Sequence, residues 1–357
     1  MSRLNRQDEF TDTVFTRDRA TWWSSMDVPG VNVVTGERLT VADAYVRYLN
    51  WEVEKHQLFN GTTGAMEPIF AHHRSDAPDG TPLGFSTERF VIVQNREAGG
   101  LFHTALDGAD YAVASIGALK HGGITFCSVD FVDAPDVDIA GQVIYPYLAL
   151  VNAHDGRGSL RVYASGIRPE CLNTIDLGWL AGSRLGRLNH TTNVMSRVPQ
   201  MQAEIRRYLD LVPMAETTVG RLIDTPVTNA EFERMVARLV PIPEPVLNPH
   251  TGAVKNSAAI TRAESKADKI REMASSDPRV GFEGTMWGAF QTFSTWGQKE
   301  RSFRRTKGSG VDSREHSVLT AHISGKQSFE DDRLLKSLLA NVNNPGVRAT
   351  DYGLVLA

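Results

Sequence analysis

Cysteine is scarce in this chain: Cys127 and Cys171 are the only two in 357 residues. Two thiols cannot build a zinc cluster or a disulfide framework, and so few of them fit a reducing cytoplasm. No apolar run reaches the length of a membrane span, so no membrane partner is expected. The opening residues, MSRLNRQDEFTDTVF, hold acids and no apolar block, so no secretory signal is read there. Walker, G-x-G-x-x-G, G-x-S-x-G and H-E-x-x-H motifs are also missing. The sites those motifs build therefore have no foothold here, and no cofactor is implied. There is no internal repeat and no low-complexity segment. Nor is there a surplus of positive charge: 38 Lys and Arg face 42 Asp and Glu, a net −4. That balance says nothing for a global attraction to nucleic acid, and any such site must be local.

What is present is an ordinary globular composition, with 41% hydrophobic and 22% charged residues, enough for one large domain or two. The first half reads mostly as strands. Phe85–Asn95, Tyr111–Gly122, Ile124–Val132, Val143–Val151 and Leu160–Ile167 carry the apolar or alternating pattern that strands need. Pro146 inside VIYPYLALV points to an edge, a bulge or a later strand start. Thr40 is placed to cap a helix over Val41–Leu49, and Ala98–Leu106 reads as a second short helix. His72 and His73 fall in a Pro/Gly-rich loop with no further donors spaced for a metal.

The second half reads as helices: Val194–Val212, Thr228–Leu239, Ser257–Ala274, Thr285–Phe303 and Ser328–Asn341. Pro241, Pro243, Pro245 and Pro249 break the series. The expected fold class is therefore α+β, an antiparallel sheet in the N-terminal half with a mainly helical C-terminal half packed on it. The expected organisation is a flexible N-terminus at 1–20, a core at 21–240, a Pro-rich linker at 241–256 and a helical region at 257–357.

Two stretches concentrate positive charge. Arg184, Arg187, Arg197, Arg206 and Arg207 lie on or before the first long helix, with His190 at its start and Glu204 the one acid. Lys299, Arg301, Arg304, Arg305 and Lys307 crowd the end of an aromatic helix bearing Trp287, Phe290, Phe293 and Trp296. Aromatics beside arginines make stacking platforms with an electrostatic groove, which suits single-stranded nucleic acid. The plainer reading is a core face that ends in a solvated basic turn. The helix Ser257–Ala274 reads only as polar, with alternating charges.

Between two strands sits Asn152-Ala153-His154-Asp155-Gly156-Arg157-Gly158-Ser159. Asp-Gly there is a hairpin signal. His154 and Asp155 read either as turn chemistry or as a catalytic pair. Cys171, near His154, Asn173 and His190 in the sequence, reads either as a packed thiol or as a nucleophile.

The run IYPYLALVNAHDGRGSLRVYASGIRPECLNTIDLG, followed by LNHTTNV, resembles the signature of the phage/plasmid-like proteins grouped as domain of unknown function 932. Asn152, His154, Asp155, Gly156, Arg168, Cys171, Asn173, Thr174, His190 and Thr191 fall on that pattern. Trp22–Val53 is similar to the family's opening, and Gly284-Thr285-Met286-Trp287 to its late Gly-Thr-x-Trp helix. The chain departs from the pattern after that, with Phe293, Ser294, Thr295, Trp296 and Gly297 in place of acidic and histidine residues. The resemblance implies a gene carried on phages, prophages or plasmids and a bacterial cytoplasm. It implies no activity. The expected function is a DNA-metabolism protein of a mobile element that binds, and anneals, single-stranded DNA as a homo-oligomer. Two alternatives stand beside it. One is an oligomeric interaction protein acting on a host protein, for instance against host defence. The other is an enzyme using Cys171 with His154 or His190.

Overall fold

A computed structural model describes residues 10–15, 37–131, 137–139, 142–167, 174–176, 186–207, 217–276, 284–297 and 333–338. In chain order the elements begin with β1 (Phe10–Phe15), α1 (Val41–Tyr48), β2 (Val53–Phe59), β3 (Met66–Arg74), β4 (Gly84–Ser86) and α2 (Asn95–Ala105). Next come β5 (Tyr111–Leu119), β6 (Ile124–Phe131), β7 (Val137–Ile139), β8 (Gln142–Ala153), β9 (Ser159–Ile167), β10 (Thr174–Asp176) and β11 (Arg187–Asn189). The helices α3 (Val198–Arg206), α4 (217–224), α5 (Asn229–Leu239), α6 (Ser257–Ser276), α7 (Met286–Thr295) and α8 (333–338) follow.

The main sheet runs β1–β5–β6–β8–β9–β10, with β11 also on β9 and β7 also on β8. A separate small sheet runs β2–β3–β4. Every pairing is antiparallel, as short connections between successive strands require. The fold is α+β, as the sequence leads one to expect, with two sheets rather than one. β6 is buried along its whole length, and β5 along all but its first residue. β5 accordingly reads as a near-continuous apolar run, whereas β6 buries Thr125, Ser128 and Asp130 among its apolar residues.

Three local expectations change. β8 is a central strand, between β6 and β9, and not an edge. Pro146 is tolerated there because the β6 register ends at Tyr147 and the β7 register begins at Ile144, which leaves a gap on that side. Phe85–Asn95 is not one strand, since pairing stops at Ser86. Beyond it the Lys55 ammonium donates to the carbonyls of Thr87, Glu88 and Phe90 at 3.2, 3.2 and 2.7 Å, holding a loop where a ladder would otherwise continue. His72 and His73 lie in β3, not in a loop.

One hydrophobic cluster runs from Val41 of α1 to Leu338 of α8 and joins the sheet to the helices. Within it Phe102, Phe290 and Leu148 are fully buried; each contributes roughly 2–3 kcal/mol of transfer free energy. Helix starts follow their caps. The Thr40 hydroxyl accepts the Asp43 N–H at 3.2 Å. Thr228 and Glu231 form a reciprocal box, with the Thr228 N–H donating to the Glu231 carboxylate at 2.8 Å. No helix among the described residues is long and apolar enough to cross a membrane.

Candidate functional site

The hairpin between β8 and β9 closes over a buried polar cluster. His72, Asn152 and His154 have no exposed surface, and His190 is 4% exposed. Their partners assign the ring protons. His72 Nδ1 donates to the His154 carbonyl at 2.6 Å, so its Nε2 accepts from the Ser86 hydroxyl at 2.6 Å. Asn95 donates from Nδ2 to the Trp51 carbonyl at 3.2 Å and accepts from Thr125 at 3.2 Å on Oδ1. That orientation makes His154 Nε2 the donor to Asn95 Oδ1 at 2.9 Å and leaves His154 Nδ1 as a bare acceptor. His190 Nδ1 donates to the Val91 carbonyl at 2.9 Å, and its Nε2 likewise has no donor. Burial lowers the pKa of all three rings, to about 3 for His154, so they are neutral at pH 7.

His154 and Asp155 do not face each other as an acid–base pair. The Asp155 carboxylate accepts the backbone N–H groups of Arg157 at 2.9 Å and Gly158 at 2.8 Å, a turn-forming arrangement. Gly156 has φ +77°, and a Cβ there would overlap the Phe85 carbonyl. A Cβ on Gly84 would overlap the backbone of Asp155. The hairpin turn and β4 thus touch backbone to backbone at two glycines.

The predicted basic residues divide. Arg187, on β11, and Arg197 and Arg207, around α3, are exposed. His190 does not join that surface, because its ring stacks on Phe90 with centroids 4.7 Å apart and its Nδ1 is committed to Val91. Arg184, Arg168, Cys171, Asn173, Lys299, Arg301, Arg304, Arg305 and Lys307 lie outside the described residues, as do the side chains of Thr174 and Arg206.

A different basic surface comes forward. An open groove of about 590 Å³ is lined by Trp296 and by Ser257, Thr261, Arg262, Ser265, Lys266 and Lys269 of α6. Arg262, Lys266 and Lys269 recur at helical spacing, whereas Glu264, Asp268 and Glu272 recur on a different face of the same helix. Ala263, Ala267, Ile270 and Met273 bury the face between them. Arg271 is satisfied by Glu233 and Asp268, both at 2.9 Å, and Lys269 by Glu272 at 3.1 Å. Arg262 and Lys266 have no carboxylate partner among the described residues. Residues counted simply as alternating charge are partly sorted: Arg262, Lys266 and Lys269 share one face, while Arg271 pairs with Asp268 on the other. The i, i+4, i+7 spacing of the three bases was the available signal.

The family model for a domain of unknown function, DUF932, matches residues 82–319. The chain belongs to the DUF932 family. No curated protein and no solved structure matches it. The DUF932 match takes in β4, the β8–β9 hairpin, His190, α6 and Trp296, and begins after His72. Within the DUF932 region Thr285 caps α7, its hydroxyl accepting the Gly288 N–H at 3.0 Å. Trp296 closes that helix. Among the described residues no group of three or more His, Cys, Asp or Glu is placed to hold a metal ion.

Proposed function

We propose that this DUF932 protein binds single-stranded DNA, and that it serves the DNA metabolism of a phage, prophage or plasmid in a bacterial cytoplasm. The observation that carries the reading is the Trp296 groove. An indole supplies a face on which any base can stack, worth about 1–3 kcal/mol per base. Arg262 and Lys266 line the same groove and have no carboxylate partner among the described residues, so both are available to a phosphate. Ser257, Thr261 and Ser265 add hydroxyl donors along the same wall. A single strand offers unstacked bases and phosphates together, which a duplex does not. Annealing and a homo-oligomer belong to the same proposal by analogy with ring-forming annealing proteins.

Anisotropy of a fluorescent oligonucleotide at rising salt tests this. Binding should weaken steeply with salt, and Arg262→Glu with Lys266→Glu should weaken it by about tenfold or more at low salt. Binding that ignores salt, or none at low salt, contradicts the proposal. A second reading, an interaction surface for a host protein, draws on the exposed Phe59, Met66, Ile69 and Phe85 of the small sheet.

A further inference from the structure

A second open groove, of about 450 Å³, is lined by Ile69, Phe85, Arg89, Phe90, His190 and Thr191. It shares no lining residue with the Trp296 groove. Phe85 is 53% exposed although β4 fixes its backbone. Single exposed aromatics are common. The surroundings set this one apart. Arg89 is exposed in the same groove, and Arg157 is exposed next to Gly156, whose backbone forms part of the wall. Neither guanidinium has a carboxylate partner among the described residues. Of the nearby acids, Asp155 accepts two backbone N–H groups, and the charge of Glu88 acts on Lys55, raising its pKa against the effect of burial. The walls are already in place. Lys55 holds the loop that carries Arg89 through three carbonyls, and Gly84 and Gly156 lock the hairpin turn against β4. His190, 4% exposed, closes the wall with its ring stacked on Phe90 at 4.7 Å.

We propose that this groove is a second single-strand site, taking a nucleobase on Phe85 and the adjoining phosphate on Arg89. The inference rests on the single-strand reading of the Trp296 groove and extends it. One protomer then holds two strand segments at once, which is the arrangement that annealing of complementary strands requires.

The test is a stoichiometric titration of the full-length protein with a short fluorescent oligothymidylate, at low salt and protein well above the dissociation constant. Wild type should saturate at two oligonucleotides per protomer. Phe85→Ala with Arg89→Glu should leave one, as should Arg262→Glu with Lys266→Glu, and the combination should leave none. Arg89→Glu alone should weaken the second site by about tenfold. All four side chains are exposed to solvent, and a thermal melt matching wild type confirms folding. If wild type binds but Phe85→Ala with Arg89→Glu keeps the wild-type stoichiometry, this inference fails alone and that face is left to a protein partner. If wild type binds no oligonucleotide, both it and the proposed function fail.

Discussion

His72 reaches across from the small sheet and donates its Nδ1 proton to the carbonyl oxygen of His154, 2.6 Å away. That one bond ties β3 to the hairpin turn of the main sheet. Through Ser86 on one side and Asn95 on the other it joins a network with no exposed surface on either ring. A network built from neutral imidazoles depends on their staying neutral.

Acid should therefore loosen the fold before carboxylates titrate. Each ring is held below its ordinary value of 6.5 by burial, and for His154 the folded value is about 3. The unfolded chain takes up the proton near 6.5 and the folded chain does not. Stability is thus complete above that pH and falls as pH drops toward 3. His154 alone accounts for about 2 kcal/mol between pH 7 and pH 5. Urea midpoints at the two pH values read this out, and His154→Gln should flatten the difference while lowering stability at pH 7.

The two glycines at the turn should be intolerant. Gly84→Ala places a methyl group in the backbone of Asp155, and Gly156→Ala adds strain at φ +77°. Each should cost roughly 2–4 kcal/mol, seen as a lowered melting temperature. Gly108→Ala is a useful contrast: it shares a positive φ of +82° but has open space around its Cβ, so its cost should be about 1 kcal/mol.

Much of the fold was legible. β5 and β8 announce themselves as apolar runs, β6 and β9 by alternation, Asp155-Gly156 as a turn, and Thr40 as a cap. β3 was hidden because MEPIFAHHR breaks the alternation with Pro68 and turns a histidine, His72, toward the core. β4 was overextended because nothing in FSTERFVIVQN reveals that a distant lysine captures its carbonyls. The candidate site was less legible still. Arg262 and Lys266 look like an ordinary solvated helix until Trp296, some thirty residues on, is placed beside them. The buried fate of His190 required knowing that Phe90 and Val91 lie against it.

Lys55 should behave as a positioning residue. Its ammonium is bonded to three carbonyls of the Arg89 loop, and burial lowers its pKa. Lys55→Met leaves those carbonyls without their donor, a cost of about 1–3 kcal/mol. Hydrogen exchange at the amides of residues 87–90 should quicken by about tenfold or more, with the amides of β6 unchanged. Equal protection in the variant contradicts the role.

Cys127 should be inert in the folded protein. The thiol is fully buried and its pKa is raised by that burial, so almost no thiolate forms at neutral pH. Iodoacetamide should label it in urea and not in native buffer. If Cys171→Ala keeps wild-type oligonucleotide binding and annealing, a thiol mechanism has no part in the function.

The most direct measurement is a photocrosslink. A single-stranded oligonucleotide carrying bromodeoxyuridine is irradiated with the full-length protein, and the attached peptide is mapped by mass spectrometry. The account predicts attachment at Trp296, lost at high salt and lost in the Arg262→Glu, Lys266→Glu variant. Attachment that persists in that variant, or that never includes the Trp296 peptide, contradicts it.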